Sequence, residues 1–330
     1  MLAYHADRFS LPLAPGHRFP IEKYRMLREA VQRELPQVRL READAATDGE
    51  LALAHLPAYV SAVAEGRLDA AGQREIGFPW SAQLVERSRR SVGATIAAAR
   101  AALAEGVGAT LAGGTHHASA GAGGGYCVFN DAAVAARLMQ AECHRCRAGA
   151  LGVALIDLDV HQGNGSAAIF RDDPTVFTLS LHGERNYPFR KEASDLDVAL
   201  PDGCGDTPYL DALDSALAML WARHEGRLPG LVIYLAGADP HEGDRLGRLR
   251  LTRAGLVERD RRVFASARER GVPLAVTMAG GYGRDIADTV AVHLGTLAEA
   301  LASWQRWRDN GQATARQHDA FPHSPTAIRC

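Results

Sequence analysis

The sequence predicts an α/β protein in which a central, mostly parallel sheet lies between layers of helices. Three observations carry this. From about residue 150 onward, short apolar runs alternate with stretches of helical period, the pattern of strands joined by crossover helices. The runs are near-continuous, as in LGVALID and GLVIYLA, which fits strands covered on both faces. Polar clusters follow four of the runs, where parallel sheets open their ligand crevice.

Taken in order, LAYH reads as a short strand and LPLAPGHRFP as a loop. Ile21–Leu35 has apolar residues at helical spacing: Ile21, Tyr24, Leu27, Ala30 and Val31. Short helices fit Asp48–Leu53 and Pro57–Glu65, and a long one fits Ser81–Glu105, stopped by Gly106. Ala109–Ala112 reads as a strand, Gly113–Gly125 as a glycine-rich loop and Asn130–Ala141 as a helix. Strands at Ala150–Ile156, Thr175–Leu181, Gly230–Leu235 and Pro273–Met278 then alternate with helices at Thr207–Arg223, Thr252–Arg270 and Asp285–Leu301. Without repeats or a long linker, residues 1–305 read as one catalytic domain. The polar tail over 306–330 is expected to be loosely packed.

Composition narrows the function. A net charge of −2 with no basic stripe gives nucleic-acid binding little support. All but Lys23 and Lys191 of the 37 basic residues are Arg, and alanines abound, which suggests a GC-rich, bacterial coding sequence. No apolar stretch reaches about 18 residues, so no membrane span is expected. The N-terminus lacks the pattern of a signal peptide. Five cysteines, an odd number, argue for reduced thiols and a cytoplasmic location.

The chemistry begins at IDLDVHQGNG. Asp159 and His161 are two residues apart at a strand end, and in extended backbone alternate side chains share a face. A carboxylate and an imidazole can then grip one cation. Asp239, closing LVIYLAGAD, is the natural third ligand. An Asp2His set leaves an open, catalytic position for zinc and also suits Fe(II), Co(II) or Mn(II). Beside a metal, His116 and His117 suit acid–base work. Asp157 and Asn164 are their expected partners, and the difference between carboxylate and amide should set the two imidazole pKa values apart. Tyr282, in GGYG, would sit at the mouth of the same crevice and donate to an oxyanion. Glycines 280, 281 and 283 are expected to let that loop move.

The motifs GGTHHASAGAGGGYCVFND, IDLDVHQGNG, TLSLH, AGADPHEGDRLG and AGGYG, in this order, resemble those of the histone deacetylase family. The details are most like its class IV and bacterial relatives. The resemblance implies a three-layer, arginase-like α/β fold and a zinc-dependent amidohydrolase that acts on acyl-lysine. Asp159, His161 and Asp239 would hold the metal. His117 would be the main general base, His116 with Asp157 would tune the electrostatics, and Tyr282 would polarise the acyl carbonyl. Gly125, Tyr126, Tyr187 and Leu246 would form the tunnel wall. A structural potassium ion would use Asp157, Asp159, His161, Ser180 and Leu181. A second monovalent site would use backbone at Phe170, Asp173 and Val176.

Two positions depart from the commonest pattern. Asn164 stands where class I has aspartate, and Tyr126 stands where the family usually has Phe. The substrate implied is acylated lysine, acetyl or longer fatty acyl, in a protein or peptide. Acetylpolyamine is the alternative among enzymes, although the related polyamine enzymes carry a glutamate where this chain has Leu246. A non-catalytic acyl-lysine binder would lack His117 or Tyr282, and both are present. The Cys143/Cys146 pair carries no second CxxC. His5 and His17 fit the entrance or a structural role, and His224, His293, His318 and His323 are expected at the surface.

Overall fold

The computed structural model describes residues 1–8, 11, 13, 16–146 and 151–320, excepting the side chains of 145, 146 and 310–320. Cys146, the start of the strand expected at Ala150, and the histidines at 318 and 323 therefore fall wholly or partly outside it. The elements in order are β1 (Leu2–His5), α1 (Lys23–Glu34), β2 (Arg39–Glu42), α2 (Asp48–Leu51), α3 (Pro57–Ala64) and α4 (Ala70–Ile76). Then come α5 (Ala82–Glu105), β3 (Val107–Thr110), α6 (Asp131–Cys146), β4 (Val153–Asp157), α7 (Asn164–Phe170) and β5 (Val176–Gly183). The chain continues through β6 (Leu196–Leu200), α8 (Asp206–Arg223), β7 (Leu231–Ala236), α9 (Arg253–Glu269), β8 (Leu274–Met278) and α10 (Ile286–Ala320).

The strands form one sheet in the order β2-β1-β3-β8-β7-β4-β5-β6, and every pairing is parallel. The continuous apolar runs are explained by what covers them. Ala154 and Ile156 of β4 belong to one core with α1, α8, α9 and α10; Val153 and Leu155 belong to the other, with α3, α5 and α6. Each large side chain buried this way contributes roughly 1.5–3 kcal/mol. The result is the three-layer α/β architecture that the alternation of elements predicts.

Helix ends follow local chemistry. Ser81 Oγ accepts from Leu84 N at 3.0 Å and starts α5; Thr252 does the same for α9 through Gly255 N, also at 3.0 Å. Gly106 ends α5 at φ +87°, and a Cβ there would lie 2.3 Å from the Trp307 ring. That contact shows α10 packed against the body beyond residue 305. The helix runs to Ala320, well past the expected end at Leu301, so the tail expected from 306 begins inside it.

Four elements were not expected. β2 (RLRE) and β6 (LDVAL) are edge strands with one partner each; β2 exposes Arg39, Arg41 and Glu42, and β6 is interrupted by the exposed Asp197, so neither shows the apolar run of the central strands. α4 and α7 have seven residues each, too few for a helical period to show. His293 corrects another expectation: it is 1% exposed, on the inner face of α10. No helix among the described residues is long and apolar enough to cross a membrane.

Candidate active site and metal centre

Because all strands are parallel, their carboxyl ends share one edge, and the loops after β3, β4, β5, β7 and β8 meet there. β4 stops at Asp157, so strand alternation does not bring Asp159 and His161 together. A turn does so instead: Asp159 Oδ1 accepts from the backbone N of His161 at 2.9 Å. Asp239 follows β7 and reaches across, with its Oδ1 accepting from Val160 N at 3.0 Å.

Asp159, His161 and Asp239 are all buried, and their candidate ligand atoms lie within 4.8 Å of one another. His161 Nδ1 is 2.9 Å from Asp159 Oδ1 and 3.2 Å from Asp239 Oδ2. Asp239 Oδ2 is buried without a hydrogen bond. Burial opposes charge on His161, yet the two carboxylates hold its pKa up at about 10. Burial and the charge of Asp159 push Asp239 up to about 7. Two buried carboxylates and one imidazole facing a common point form an electrostatic seat for a dication. Gly280 keeps that seat clear, since a Cβ there would lie 1.9 Å from Asp239 Oδ2 and 2.6 Å from Asp159 Oδ2. The donor set fits zinc, with room for a further ligand.

The tandem histidines separate as their partners dictate. His116 Nδ1 donates to Asp157 Oδ2 at 2.6 Å. Burial works against its charge, but Asp157 and Asp159 outweigh it and raise the pKa to about 9. His117 Nδ1 donates to Asn164 Oδ1 at 2.7 Å. Burial, then the neighbouring His116 and His161, drives its pKa well below the ordinary value. The ring centroids stand 4.2 Å apart, and the two imidazoles are pushed in opposite directions. His117 therefore presents a free lone pair at Nε2.

Tyr282 is 8% exposed, and its ring lies 6.2 Å from that of His161. Burial, with the charges of Asp159 and Asp239, raises its pKa well above the usual phenol range, so it remains a donor. Hydrogen bonds tie the loop around it to its neighbours. Asp244 Oδ2 accepts from Tyr282 N at 2.6 Å, Arg245 Nε donates to Tyr282 O at 2.9 Å, and Gly283 N donates to Thr289 Oγ1 at 3.0 Å. At Gly280 any side chain would crowd the two carboxylates.

A cavity of about 360 Å³ opens onto this cluster, and its lining includes His117, His161 and Tyr282. Gly125, Tyr126, Tyr187 and Leu246 also line it. The Tyr187 ring stands edge-on to His117 at 4.8 Å. Gly125 and Tyr126 both have positive φ, +52° and +68°, pinned by backbone bonds from their N atoms to the carbonyls of Glu75 and Ile76, each 2.9 Å. The remaining wall is Arg74, Glu75, Ile76 and Gly77, contributed by α4 and the residue after it, which the sequence did not reveal.

The residues expected to hold monovalent cations also have definite places. Asp157 pairs in register with Ser180 on β5, Leu181 is the next residue, and Ser180 Oγ lies 3.0 Å from His182 Nδ1. Phe170, Asp173 and Val176 share a turn in which Asp173 N donates to Phe170 O and Val176 N to Asp173 O. His17 stacks on Phe78 beside Tyr126, while His5 pairs with Asp7.

Sequence reasoning missed three supporting residues. Asp131, 0% exposed, accepts from Gly114 N, Thr115 N and Thr95 Oγ1 and so fixes the approach to His116. Lys23, 3% exposed, donates to Gly281 O at 3.2 Å. Asp244 anchors Tyr282, as above. Only Lys23 had a visible signal, being one of two lysines in an otherwise Arg-rich chain.

The histone deacetylase domain model matches residues 17–297. The chain belongs to the histone deacetylase family. Membership makes it an amidohydrolase of that family. It is 42% identical over 294 residues to an uncharacterized protein of Picosynechococcus, covering 88% of this chain and 95% of that one. It is 36% identical over 213 residues to histone deacetylase 2 of Arabidopsis thaliana, covering 64% of this chain and 53% of the plant protein. The chain thus spans about half of that relative. A histone deacetylase homolog from Aquifex aeolicus superposes with a TM-score of 0.75 at 23% identity, over 92% of this chain and 83% of the other. That likeness concerns the fold, and it agrees with the all-parallel three-layer sheet.

Proposed function

We propose that the protein hydrolyses the amide of acylated lysine side chains, with acetyl or longer fatty acyl groups, in a metal-dependent reaction. The observation that supports this best is one cavity lined at once by a metal ligand (His161), a neutral imidazole (His117) and a buried phenol (Tyr282). Zinc, or Fe(II) or Co(II) in the same donors, would be held by Asp159, His161 and Asp239. The ion would supply Lewis acidity toward water and the acyl carbonyl. His117, with Nδ1 committed to Asn164, takes the water proton at Nε2. Tyr282 donates to the oxyanion as charge develops there. His116, held charged by Asp157, stabilises the same negative charge. A histidine then protonates the departing amine, leaving a carboxylate and free lysine. Potassium at Asp157, Asp159, His161, Ser180 and Leu181, and a second ion at the Phe170–Val176 turn, would stiffen the floor of the site.

Tyr126, Tyr187 and Leu246 form a wall suited to the methylene chain of lysine. A second reading, acetylpolyamine hydrolysis, draws support from Glu75, a carboxylate on the cavity lining that can meet a second ammonium. A merely binding role is disfavoured because His117, Asn164 and Tyr282 are all in place.

The test is turnover of lysine peptides, from acetyl to myristoyl, and of acetylated polyamines, before and after chelation. Peptide turnover that is lost on chelation and returns with zinc is expected. Turnover that survives complete metal removal sinks the metal reading, and turnover confined to polyamines overturns the lysine one.

A further inference from the structure

Arg259, on α9, is 0% exposed and is among the largest fully buried side chains in the protein. It faces Asp260, 1% exposed, with Nε and Nη2 lying 2.9 and 2.8 Å from Asp260 Oδ1. Tyr234 OH donates to Asp260 Oδ1 at 2.5 Å and Thr296 Oγ1 to Oδ2 at 2.6 Å, so the carboxylate is anchored from β7 and α10. The remaining arm of the guanidinium points to the sheet. Nη1 donates to Gly237 O at 2.7 Å and to Leu158 O at 3.3 Å.

Those two carbonyls lie where the metal-ligand loops leave the sheet. The β4–β7 register ends at Asp157 and Leu235, with one further bond from Leu158 N to Leu235 O at 3.1 Å. Leu158 is the residue before Asp159, and Gly237 is two before Asp239. The loops are in close contact at this point, since a Cβ on Gly237 would lie 2.7 Å from Asp159 Cα. A shift in either carbonyl therefore passes directly to a metal ligand.

A buried ion pair is weak evidence for stability, because apolar or neutral replacements of such pairs are often neutral or stabilising. Its geometry here serves another end. We propose that Arg259 is a positioning residue for the metal centre: held by Asp260, it clamps the Leu158 and Gly237 carbonyls and so sets the span between Asp159 and Asp239. The proposal rests on the reading of Asp159, His161 and Asp239 as metal ligands.

The test strips the protein of metal and titrates it with Co(II), following the visible spectrum and competition with a chelator, alongside melting curves. Asp159→Asn controls for the ligand reading. Arg259→Lys keeps the charge opposite Asp260, but its single compact head cannot reproduce the rigid fork. Arg259→Met/Asp260→Asn removes both buried charges together. Both Arg259 variants are expected to melt cooperatively, to bind Co(II) about 10–100-fold more weakly, and to show an altered spectrum, the lysine variant less so. Wild-type affinity and spectrum in both variants would overturn the proposal. If the double variant does not fold, Arg259→Lys alone decides. If Asp159→Asn binds Co(II) like the wild type, the ligand reading fails instead.

Discussion

Gly280→Ala adds one methyl at the metal seat and nothing else. Gly280 is not among the residues with positive φ, so alanine adopts its backbone conformation without strain. The added carbon would stand 1.9 Å from Asp239 Oδ2 and 2.6 Å from Asp159 Oδ2. An ordinary nonbonded contact is about 3.5 Å. To reach that distance Asp239 Oδ2 must retreat by about 1.6 Å and Asp159 Oδ2 by about 0.9 Å, and a displacement of about 1 Å in a reacting geometry costs about 10²-fold. The expected fall in kcat/KM is 10²-fold or more, about 2.7 kcal/mol of transition-state stabilisation at 1.36 kcal/mol per tenfold. Initial rates on an acetyl-lysine peptide measure this, and a Co(II) titration should show the loss of affinity behind it. Gly49→Ala is the control, because a Cβ there meets nothing within 4 Å. A Gly280→Ala protein with wild-type rate and wild-type Co(II) affinity would refute the placement of the metal between these carboxylates.

Other substitutions probe the remaining groups. Tyr282→Phe should lower kcat by about 10²–10³ with little change in KM or melting temperature, since one oxyanion donor is lost and the ring stays. Asn164→Asp places a carboxylate against His117 Nδ1, 2.7 Å away in the native pair. This favours the protonated ring and raises the His117 pKa, now held well below its ordinary value. Because the base must be neutral, the acidic limb of the kcat/KM profile should move to higher pH; an unmoved limb removes His117 from that role. Leu246→Glu sets a carboxylate in the cavity wall and should raise the preference for acetylpolyamine over acetyl-lysine peptide by about 10–100-fold, the range of one hydrogen bond to a charged group. An unchanged ratio of the two kcat/KM values would show that Leu246 does not meet the second ammonium.

Much of this site can be read along the chain because parallel strands deliver their residues in motif-sized packets. β4, β7 and β8 are largely apolar on both faces, so each stands out, and the polar residues just after them are those that converge; β5 carries its apolar alternation on one face, Phe177, Leu179 and Leu181. Edge strands and short helices do not announce themselves in this way. β2 is mostly exposed, and α4 is too short to show a period, so the wall of Arg74, Glu75, Ile76 and Gly77 stayed hidden. Composition also misled at a single position. His293, expected at the surface, is buried on the inner face of α10, because packing between that helix and its neighbours covers it.

The sequence by itself determined the alternation of strand and helix, the identity of the Asp159, His161 and Asp239 trio, and the pairing of two histidines with unlike partners. These follow from residue type and local order, which are properties of the chain. The tertiary structure decided how those residues face one another. Asp159 and His161 meet through a turn beyond β4, not through the pleat. The GGYG loop is clamped by Asp244, Arg245 and Thr289. Arg259 reaches across from a helix about a hundred residues downstream of Leu158. Such contacts join segments far apart in sequence, and they are set by the common direction of the strands and the close packing of the layers on the sheet.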